Sequence, residues 1–307
     1  MLGETQRLVR LIDRRSFMTT TISPRVWLIT GAGRGLGLAF LKAALERGDR
    51  VVGTVREDGV LDDLVRLHPD ALRVLRLDVR DRDLVRQVVD DAVRAFGRLD
   101  VVVNNAGYGI VGATEEVSET DVRDHLNTNL LGPLWVTQAV LPHLRAQGAG
   151  DIVQVSTVGA VGAMPTLGLY NAGKWGLEGF SEALAGEVAA FGIRVTIAQL
   201  GGFDTAWGTT SMRFAAPLPA YDGLRESLFG TPVVPWEPTP EDAPPTDAPP
   251  EAAAAALMAH LDRPAGPLRL LIGNDAPIHV AMALAQRRDD YRQDSRFAWP
   301  GSSGPAD

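Results

Sequence analysis

The chain has 307 residues, of which 45% are hydrophobic and 22% are charged, as in a globular protein with a sizeable core. Its formal net charge of -8 argues against a nucleic-acid partner, which requires a basic face. The absence of cysteine excludes disulfides, thiolate catalysis and cysteine-ligated metals, and the five histidines lack metal-ligand spacing. No apolar run approaches the ~20 residues of a membrane-spanning helix, so we expect a cytoplasmic protein that binds neither a metal nor a membrane.

Residues 1–23 do not have the pattern of an export signal. Arg14 and Arg15 form a twin-arginine pair, but the polar segment that follows lacks the apolar core of a signal peptide. We therefore predict a flexible extension over residues 1–23, within which Met18 is an alternative start of translation.

From Val26 onwards, short apolar runs alternate with segments of helical periodicity. Most runs are apolar almost throughout, which is typical of parallel strands covered on both faces. The predicted strands are Val26–Ile29, Val51–Val55, Leu72–Leu77, Leu99–Val103, Ile152–Val155 and Val195–Leu200, and predicted helices include Leu38–Arg47, Leu84–Phe96 and Gly176–Phe191. Strand and helix in alternation predict an α/β fold, a single doubly wound parallel sheet of about seven strands with helices on both faces.

The pattern changes after Gly201. Residues 206–236 are predicted to form a substrate lid, although core packing is an equal alternative for their apolar residues, namely Trp207, Met212, Phe214, Leu218, Tyr221 and Phe229. Residues 231–250 hold eight of the 20 prolines, so 237–250 are predicted to be an extended insertion. A helix at Ala252–Leu261 and a strand at Leu268–Ile272 complete a domain over 24–299, followed by a disordered tail at 300–307.

A glycine-rich turn follows the first predicted strand and precedes a predicted helix. Residues 30–37 read Thr-Gly-Ala-Gly-Arg-Gly-Leu-Gly. Glycines let the backbone turn tightly and approach a pyrophosphate, and the helix N-terminus offers unpaired N–H groups and the positive end of a dipole. Because strand, turn and helix occur in this order, the sequence predicts a dinucleotide site at Gly31, Gly33, Gly35, Leu36 and Gly37.

The end of the second predicted strand indicates which dinucleotide is bound. An NAD site usually has an acidic residue there, whereas this strand is followed by Arg56. Arg56 and Arg34 are suited to a 2′-phosphate, to which a guanidinium makes charge-assisted, bidentate hydrogen bonds. We therefore predict NADP(H) rather than NAD(H), and the alternative is two solvated surface arginines.

Tyr170 and Lys174 are four residues apart, so on a helix they share one face. A free tyrosine has a pKa near ~10 and is a poor catalyst at neutral pH, but a nearby cation favours the phenolate. Lys174 is one of only two lysines in the chain, the other being Lys42. Because the pair follows the fifth predicted strand, at the expected cofactor crevice, we predict that Tyr170 is a general acid/base whose pKa is lowered by Lys174.

Four motifs in this order resemble those of the classical short-chain dehydrogenases/reductases, over about residues 25–276. They are Thr30-Gly-x-x-x-Gly-x-Gly37, Asn104-Asn105-Ala106-Gly107, Asn129 in Asn-x-x-Gly, and Tyr170-x-x-x-Lys174. The resemblance implies a Rossmann-type fold, an NAD(P)-dependent oxidoreductase acting on CH–OH groups, and a homodimer or homotetramer. Segments at 201–203, 214–224 and 268–276 are similar to a 17-beta-hydroxysteroid-dehydrogenase-like subgroup, which does not establish a steroid substrate.

The resemblance also implies roles for single residues. Tyr170 would exchange a proton with the substrate oxygen, Lys174 would pair with it and bind the ribose, and Asn129 would hold a water that links Lys174 to solvent. The cofactor would be lined by Asp78 and Val79 at the adenine, by Asn104, Asn105, Ala106 and Gly107 at the adenosine ribose, and by Gly201, Phe203 and Thr205 at the nicotinamide. The alternatives are local: a helix cap at Asp78, and backbone hydrogen bonds at Asn104 and Asn105.

Three positions depart from the pattern of that family. Thr157 stands where the family has its catalytic serine, and it keeps the hydroxyl; Ser156 is the second candidate. Leu200-Gly201 replaces the usual Pro-Gly, which predicts a looser turn beside the nicotinamide. Gly173 replaces a common serine, which lowers the helix propensity.

These residues predict an NADP(H)-dependent enzyme that interconverts a small-molecule ketone or aldehyde with the corresponding alcohol by hydride transfer. The alternative from another class is a redox-silent NADP(H)-binding protein with a regulatory or scaffolding role, which the departures at Thr157 and Leu200 leave open. A sugar epimerase or dehydratase is disfavoured, because those relatives have a differently spaced glycine turn and a larger C-terminal domain.

Overall fold

The computed structural model describes residues 24–205, 211–236 and 247–298. The strands within these ranges are β1 (Val26–Ile29), β2 (Arg50–Val55), β3 (Leu72–Arg76), β4 (Val101–Asn104), β5 (Gly109–Val111), β6 (Gly150–Thr157), β7 (Ile193–Leu200), β8 (Met212–Phe214) and β9 (Arg269–Ile272). Seven of them form one parallel sheet in the order β3-β2-β1-β4-β6-β7-β9, and the short strands β5 and β8 pair with each other in parallel.

Helices lie on both faces of the sheet. Within the described ranges they are α1 (Gly35–Glu46), α2 (Asp62–Leu67), α3 (Arg82–Phe96), α4 (Glu119–Leu126), α5 (Gly132–Gln147), α6 (Gly168–Val188), α7 (Asp222–Phe229), α8 (Pro250–Leu261) and α9 (Ala276–Tyr291). Trp27 and Ile29 of β1 belong to the hydrophobic core that includes α1 and α8, whereas Val26 and Leu28 belong to the core that includes α3, α5 and α6. Because both faces of β1 are buried, the strand is apolar at every position.

The strand order reverses between β1 and β4, because the chain builds the sheet outward from β1 in one direction and from β4 in the other. At such a switch point the carboxyl ends of neighbouring strands leave a crevice, where open α/β sheets bind their ligands. The glycine-rich turn follows β1, Asn104 ends β4 and Thr157 ends β6. These three places therefore lie at the edge of the sheet where a ligand site is expected.

The predicted fold is confirmed, since each predicted strand agrees with an observed one to within two residues at either end. The predicted helix at Gly176–Phe191 is wrong at its start, because α6 begins at Gly168. Glycines at 168, 173 and 176 interrupt the apolar pattern there without interrupting the helix. The proline-rich insertion ends earlier than predicted, because Pro250 is the first residue of α8, a position where the missing N–H of proline costs nothing.

The predicted N-terminal extension, Trp207, residues 237–246 of the proline-rich insertion and the predicted tail lie outside the described residues. Among the residues that are described, no helix combines the length and the apolar composition needed to cross a membrane. These residues also contain no cluster of three or more His, Asp or Glu side chains that could hold a metal ion.

Candidate active site

The glycine-rich turn forms a cradle at the carboxyl end of β1. Gly31 and Gly35 have positive φ angles of 66° and 54°, which residues with a side chain rarely adopt. A Cβ at Gly37 would overlap the carbonyl oxygen of Gly31, so glycine is required where α1 packs on the turn. Arg34, the N-cap of α1, makes no side-chain capping hydrogen bond, and the first helical turn contains no acidic residue. The cradle therefore fits a pyrophosphate in both space and charge.

Thr30 and Asn105 join this cradle to the segment after β4. The Thr30 hydroxyl oxygen accepts hydrogen bonds from the backbone N–H groups of Asn105 and Ala106, both at 3.0 Å. The Asn105 amide donates to the carbonyl oxygens of Thr30 at 2.9 Å and Gly31 at 3.1 Å. Asn105 thus makes the backbone hydrogen bonds that the sequence left as an alternative, and its predicted contact with the ribose stays a prediction.

Asp78 and Val79 follow β3 at the same edge of the sheet. Both oxygens of the Asp78 carboxylate accept hydrogen bonds from the Arg80 guanidinium, the shortest at 2.7 Å. These side-chain hydrogen bonds are the main reason that the pKa of Asp78 is below its ordinary value. Val79 is buried against Gly132, where a Cβ would lie 2.7 Å from Cγ2 of Val79. The glycine of the Asn-x-x-Gly motif therefore makes room for Val79, and the contact of Asp78 with adenine stays a prediction.

Arg34 and Arg56 flank the carboxyl end of β2. A Cβ at Gly33 would lie 3.3 Å from Cγ1 of Val55, so the glycine turn sits directly against the end of that strand. Arg34 and Arg56 are the next residues along these two segments, and both are exposed. The charge of Arg56 is among the causes that lower the pKa of Asp78. A ligand group at this place would therefore meet two guanidinium groups.

Tyr170 and Thr157 bring two hydroxyl groups together at the carboxyl end of β6. Tyr170, in α6, is 8% exposed, and its phenol makes a hydrogen bond with the Thr157 side chain. The Ser156 hydroxyl instead donates to the Glu178 carboxylate at 2.6 Å, in the buried interior. Because successive strand residues face opposite sides of a sheet, only one of the two candidate hydroxyls can face the phenol. That residue is Thr157.

Lys174 lies one helical turn after Tyr170, and its side chain is buried. Its Nζ donates to the carbonyl oxygen of Val155 at 2.8 Å. Burial lowers the pKa of Lys174 to about 8, and the charge of Glu178 acts in the opposite direction. Burial raises the pKa of Tyr170, and the hydrogen bond with Thr157 offsets only part of that increase. The predicted lowering of the Tyr170 pKa is therefore wrong for the chain by itself, and the phenol is protonated at neutral pH.

Asn129 lies in a single π-helical turn, Asn127–Leu131, between α4 and α5. Its Oδ1 accepts from the Tyr108 N–H at 3.1 Å and its Nδ2 donates to the Tyr108 carbonyl at 2.8 Å, which fixes the orientation of the amide. The Nδ2 group also lies 2.8 Å from Nε2 of His125, so this ring nitrogen must be the acceptor. Burial, followed by the charges of Lys174 and Arg213, lowers the pKa of His125 to about 4, in agreement with a neutral ring.

The position of Asn129 relative to Lys174 is set by Gly107. A Cβ at Gly107 would lie 2.8 Å from Oδ1 of Asn129 and 3.7 Å from Nζ of Lys174. The glycine that ends the Asn-Asn-Ala-Gly motif therefore lets both side chains approach the backbone after β4. The predicted water, held by Asn129 and linking Lys174 to solvent, stays a prediction.

The turn after β7 is held by a carboxylate from a distant part of the chain. The Asp275 side chain accepts a hydrogen bond from the Gly202 N–H at 3.1 Å and occupies the space where a Cβ of Gly201 would lie. The Gly201 N–H donates to the carbonyl oxygen of Ile272 at 2.9 Å. The looser turn predicted from the missing proline is therefore wrong, because Asp275 clamps the backbone that proline would have stiffened.

Beyond this clamp the chain returns to the glycine cradle. Phe203 pairs with Ala248 in an isolated parallel bridge, so the end of the proline-rich segment borders the turn. A Cβ at Gly35 would lie 3.6 Å from Cβ of Thr205, which places Thr205 over the cradle. Thr205 therefore lies against the start of α1, and Phe203 lies in the turn that leads to it.

Comparison with known proteins agrees with this geometry. A family model described as short chain dehydrogenase matches residues 25–214, which carry the cradle, Thr157, Tyr170 and Lys174. The chain belongs to the short-chain dehydrogenase family. Like other members, it is an NAD(P)-dependent dehydrogenase or reductase, and its similarity to a 17-beta-hydroxysteroid-dehydrogenase-like subgroup stays a prediction.

Relatives of known sequence and structure cover most of this dehydrogenase. The oxidoreductase BOA17 of Botryotinia fuckeliana is 38% identical over 268 residues, which are 84% of this chain and 92% of that protein. The structure of a short-chain dehydrogenase from Streptomyces avermitilis is 37% identical, with a TM-score of 0.79 over 89% of this chain and 97% of that one. A short-chain dehydrogenase/reductase from Burkholderia phymatum in complex with NAD has a TM-score of 0.72 at 21% identity, with 91% of this chain and 98% of that one covered, and shows the fold alone.

In this family member, a buried ion pair fastens residues 211–236, the described part of the predicted lid. Arg225 of α7 is 1% exposed, and its guanidinium donates to Oε1 of Glu116 at 2.6 Å. The Glu116 carboxylate also accepts hydrogen bonds from the N–H groups of Ala113 and Leu218, both at 2.7 Å. The lid segment is therefore attached to the chain that follows β5 by a pair of residues that sequence reasoning did not single out.

The aromatic and aliphatic residues predicted for the lid have two different environments. Phe214 and Phe229 each pack against Trp236, with ring centroids 4.8 Å and 5.2 Å from its ring, so these half-buried side chains pack within the lid segment. Leu218 is 37% exposed, and the Tyr221 hydroxyl donates to the Glu115 carboxylate on the surface. The predicted role in closing an apolar pocket stays a prediction for these residues.

The clamp at Gly201 predicts a coupled pair of substitutions. Gly201→Ala should lower the free energy of unfolding by about 2 kcal/mol, because the new methyl group overlaps the Asp275 carboxylate. In an Asp275→Ala background the same substitution should cost less than about 0.5 kcal/mol, because the overlapping group is gone. Chemical denaturation of the four proteins measures this difference. Equal costs in both backgrounds would show that Asp275 does not clamp the turn.

Proposed function

We propose that the chain is an NADP(H)-dependent oxidoreductase that interconverts a small-molecule ketone or aldehyde with its alcohol, with Tyr170 as the general acid/base. The observation that carries the proposal is the hydrogen bond between the Tyr170 phenol and the Thr157 side chain at the carboxyl end of β6. Two hydroxyl groups held together in this way can both bind one carbonyl oxygen. Such an arrangement polarises the carbonyl and delivers a proton to the same atom.

A bound NADPH would supply the hydride to the carbonyl carbon, and NADP⁺ would accept it in the reverse direction. In reduction, Thr157 and Tyr170 donate hydrogen bonds to the substrate oxygen, and the phenol proton moves to that oxygen as the alcohol forms. The raised pKa of Tyr170 keeps the phenol protonated at neutral pH but also makes it a weaker acid, so proton donation depends on a cation that stabilises the phenolate as it forms. In oxidation, the Tyr170 phenolate takes the proton from the alcohol hydroxyl, and the Lys174 ammonium one turn away is positioned to stabilise that phenolate.

The preference for NADP(H) over NAD(H) is supported by Arg34 and Arg56. Both are exposed beside the end of β2, and that strand ends without the acidic residue expected in a site for an unphosphorylated ribose. A dianionic 2′-phosphate at this place would form charge-assisted hydrogen bonds with either guanidinium. An NAD ribose would leave both cations without an anionic partner from the cofactor.

Arg56→Ala should raise the dissociation constant of NADPH about tenfold and leave that of NADH unchanged, because a hydrogen bond to a charged group contributes ~1.5 kcal/mol. Fluorescence titration with both cofactors measures the two constants. Arg66→Ala is the matched control, because Arg66 is exposed on α2, where it pairs with Asp63 three residues earlier. A loss of affinity for NADH as large as that for NADPH would contradict the assignment to the 2′-phosphate.

The proposal as a whole is tested with the wild-type protein, NADPH and a panel of ketones and aldehydes, followed by NADPH absorbance. We expect turnover of at least one carbonyl compound, and reversal with the corresponding alcohol and NADP⁺. Tight NADPH binding without turnover of any member of a broad panel would favour the redox-silent alternative. Failure to bind either cofactor would contradict both.

A further inference from the structure

Glu178 is a buried carboxylate that the proposed chemistry does not use. It lies on α6 one helical turn beyond Lys174, so that Tyr170, Lys174 and Glu178 occupy positions i, i+4 and i+8 of one helix face. Glu178 is only 5% exposed. Acidic residues are rarely buried to this extent unless they have partners, so its surroundings indicate what it does.

Three strands of the sheet provide partners for this carboxylate. The Ser156 hydroxyl of β6 donates to Oε1 at 2.6 Å, and the Gln199 amide of β7 donates to Oε1 at 3.0 Å and to Oε2 at 2.9 Å. Nε of Arg269, in β9, lies 3.3 Å from Oε2. Glu178 therefore ties α6 to β6, β7 and β9 at the level of the helical turn that follows Lys174.

Lys174 is bound to the same strand, β6, as Glu178. Nζ of Lys174 donates to the carbonyl oxygen of Val155, the residue before Ser156, so Lys174 and Glu178 bind neighbouring residues of β6. Both side chains are buried, and an interaction between buried charges is screened far less than one between surface charges. The position of the ammonium and that of the carboxylate are thus fixed by one strand and one helix.

Other charged groups near the pair do not replace this interaction. Arg269 is 40% exposed and is shared with Glu182, which is itself 61% exposed, so solvent screens only part of its charge and a small opposing effect on Lys174 remains. His125, from α4, is neutral at physiological pH because its pKa is lowered to about 4. Tyr170, on the same helix face, is a neutral phenol because burial raises its pKa. Glu178 is therefore the anion that balances the buried Lys174.

We propose that Glu178 is a positioning residue for Lys174, which anchors the helix turn of Lys174 to the sheet and keeps a negative charge beside the buried ammonium. The role rests on the proposed function only in that Lys174 is taken to serve the catalytic phenol and the cofactor ribose. Burial without this carboxylate would favour the neutral amine, which can neither stabilise a phenolate nor bind a ribose as a cation.

The two lysines of the chain make a direct measurement feasible. Protein labelled with ¹³C at the lysine side chains should give resonances of Lys42 and Lys174 alone, and Lys42, exposed on α1, is the internal reference. In the cofactor-free protein, Lys174 should titrate near its pKa of about 8. Glu178→Gln keeps the shape of the side chain and removes its charge, so it should lower the midpoint of the Lys174 titration by about one pH unit.

Glu182→Gln is the matched control, because Glu182 binds the same arginine one turn further along α6 but is exposed. It should leave the Lys174 midpoint within about 0.2 pH units of the wild type. Arg269→Gln, a substitution at a half-exposed site, should raise the midpoint by about 0.3 units, because it removes a cation that opposes Glu178. This variant keeps the proposal testable if Glu178→Gln does not fold.

A Lys174 midpoint that is the same in the wild type and in folded Glu178→Gln would overturn the proposal, as would an equal shift in Glu182→Gln. If Glu178→Gln does not fold, an unmoved midpoint in Arg269→Gln would overturn it instead. These measurements need neither cofactor nor substrate. Their result is therefore independent of whether the chain reduces a carbonyl. If Tyr170→Phe does not change turnover but Glu178→Gln still lowers the Lys174 midpoint, the proposed function is rejected and the role of Glu178 is kept.

Discussion

Replacing Tyr170 with phenylalanine should lower kcat for carbonyl reduction about 1000-fold, because the substitution removes the proton donor and leaves only water to supply the proton. The ring itself is kept, and it packs in a T-shaped contact against His125 with centroids 6.0 Å apart, so the fold should not change. The dissociation constant of NADPH should stay within about threefold of the wild-type value, because the hydroxyl group is expected to act in proton transfer rather than in cofactor binding. Initial rates with the best carbonyl of the panel, together with fluorescence titration, measure both quantities.

Two further variants make this prediction specific. Tyr291→Phe removes a hydroxyl from the exposed end of α9 and should leave kcat unchanged. Thr157→Val replaces the second hydroxyl by a methyl group of similar size and should lower kcat by about 100-fold, which is less than the loss at Tyr170 because the proton donor remains. If Tyr170→Phe keeps more than a tenth of the wild-type rate, the proton must come from another group and the assignment is wrong.

The strands and the cradle could be predicted from sequence because their determinants are local. β1 is four consecutive apolar residues, and the glycines that follow are required by backbone angles and by contacts within the same turn. The spacing of Tyr170 and Lys174 likewise depends on one helix alone. In these parts of the chain, the residues that determine the structure are close together in the sequence, so the local pattern is enough to predict it.

The start of α6 and the whole of α5 were harder to predict. Three glycines in the first nine residues of α6 obscure its apolar stripe, and α5 contains Pro142, a residue that normally argues against a helix interior. Both helices exist because they pack against the sheet, with Val136 and Leu184 in one hydrophobic core. Tertiary burial outweighs the propensity of single residues here.

The side chains that the sequence did not reveal are those whose partners are far away along the chain. Asp275 acts on a turn 73 residues earlier, and Arg225 binds a glutamate 109 residues earlier. In sequence, each is one charged residue among many, and only the fold distinguishes a buried ion pair from a surface charge. His125 is an exception, because its position four residues before Asn129 places both on one helix face and could have indicated their contact.

The Tyr170 pKa is raised, although Tyr170 and Lys174 were correctly predicted to lie on one helix face. Predicting which residues are neighbours therefore does not by itself predict the direction of a pKa shift. The sequence indicates a cation near the phenol, but it contains no information on how deeply either group is buried. In the structure, burial raises the pKa of Tyr170 and lowers that of Lys174, so desolvation dominates for both. The chain by itself therefore holds Tyr170 as a neutral phenol.

Arg225→Met should lower the free energy of unfolding by about 3 kcal/mol, because it leaves the Glu116 carboxylate buried without its cation. The guanidinium also donates to the carbonyl oxygens of Leu218 and Pro232, at 2.8 Å and 2.9 Å, which would lose these partners. Arg296→Met, at an arginine exposed near the C-terminus, should leave the midpoint of denaturation unchanged. Urea denaturation of both variants at pH 7 measures the difference.

The pH dependence of the Arg225→Met defect identifies its cause. Burial raises the pKa of Glu116, but hydrogen bonds from the Leu218 and Ala113 N–H groups and from Arg225 outweigh it, so the pKa lies below its ordinary value of 4.5. In the wild type, this ion contributes stability above pH 4.5 that is lost as the pH falls through the lowered pKa. In the variant, protonation of Glu116 removes a buried charge that has lost its cation, so the stability difference between the two proteins should shrink as the pH falls through this range. Adding Glu116→Gln to Arg225→Met should likewise recover part of the lost free energy of unfolding at pH 7. If the loss of stability depends neither on pH nor on residue 116, its cause is instead the lost packing of the Arg225 aliphatic stem.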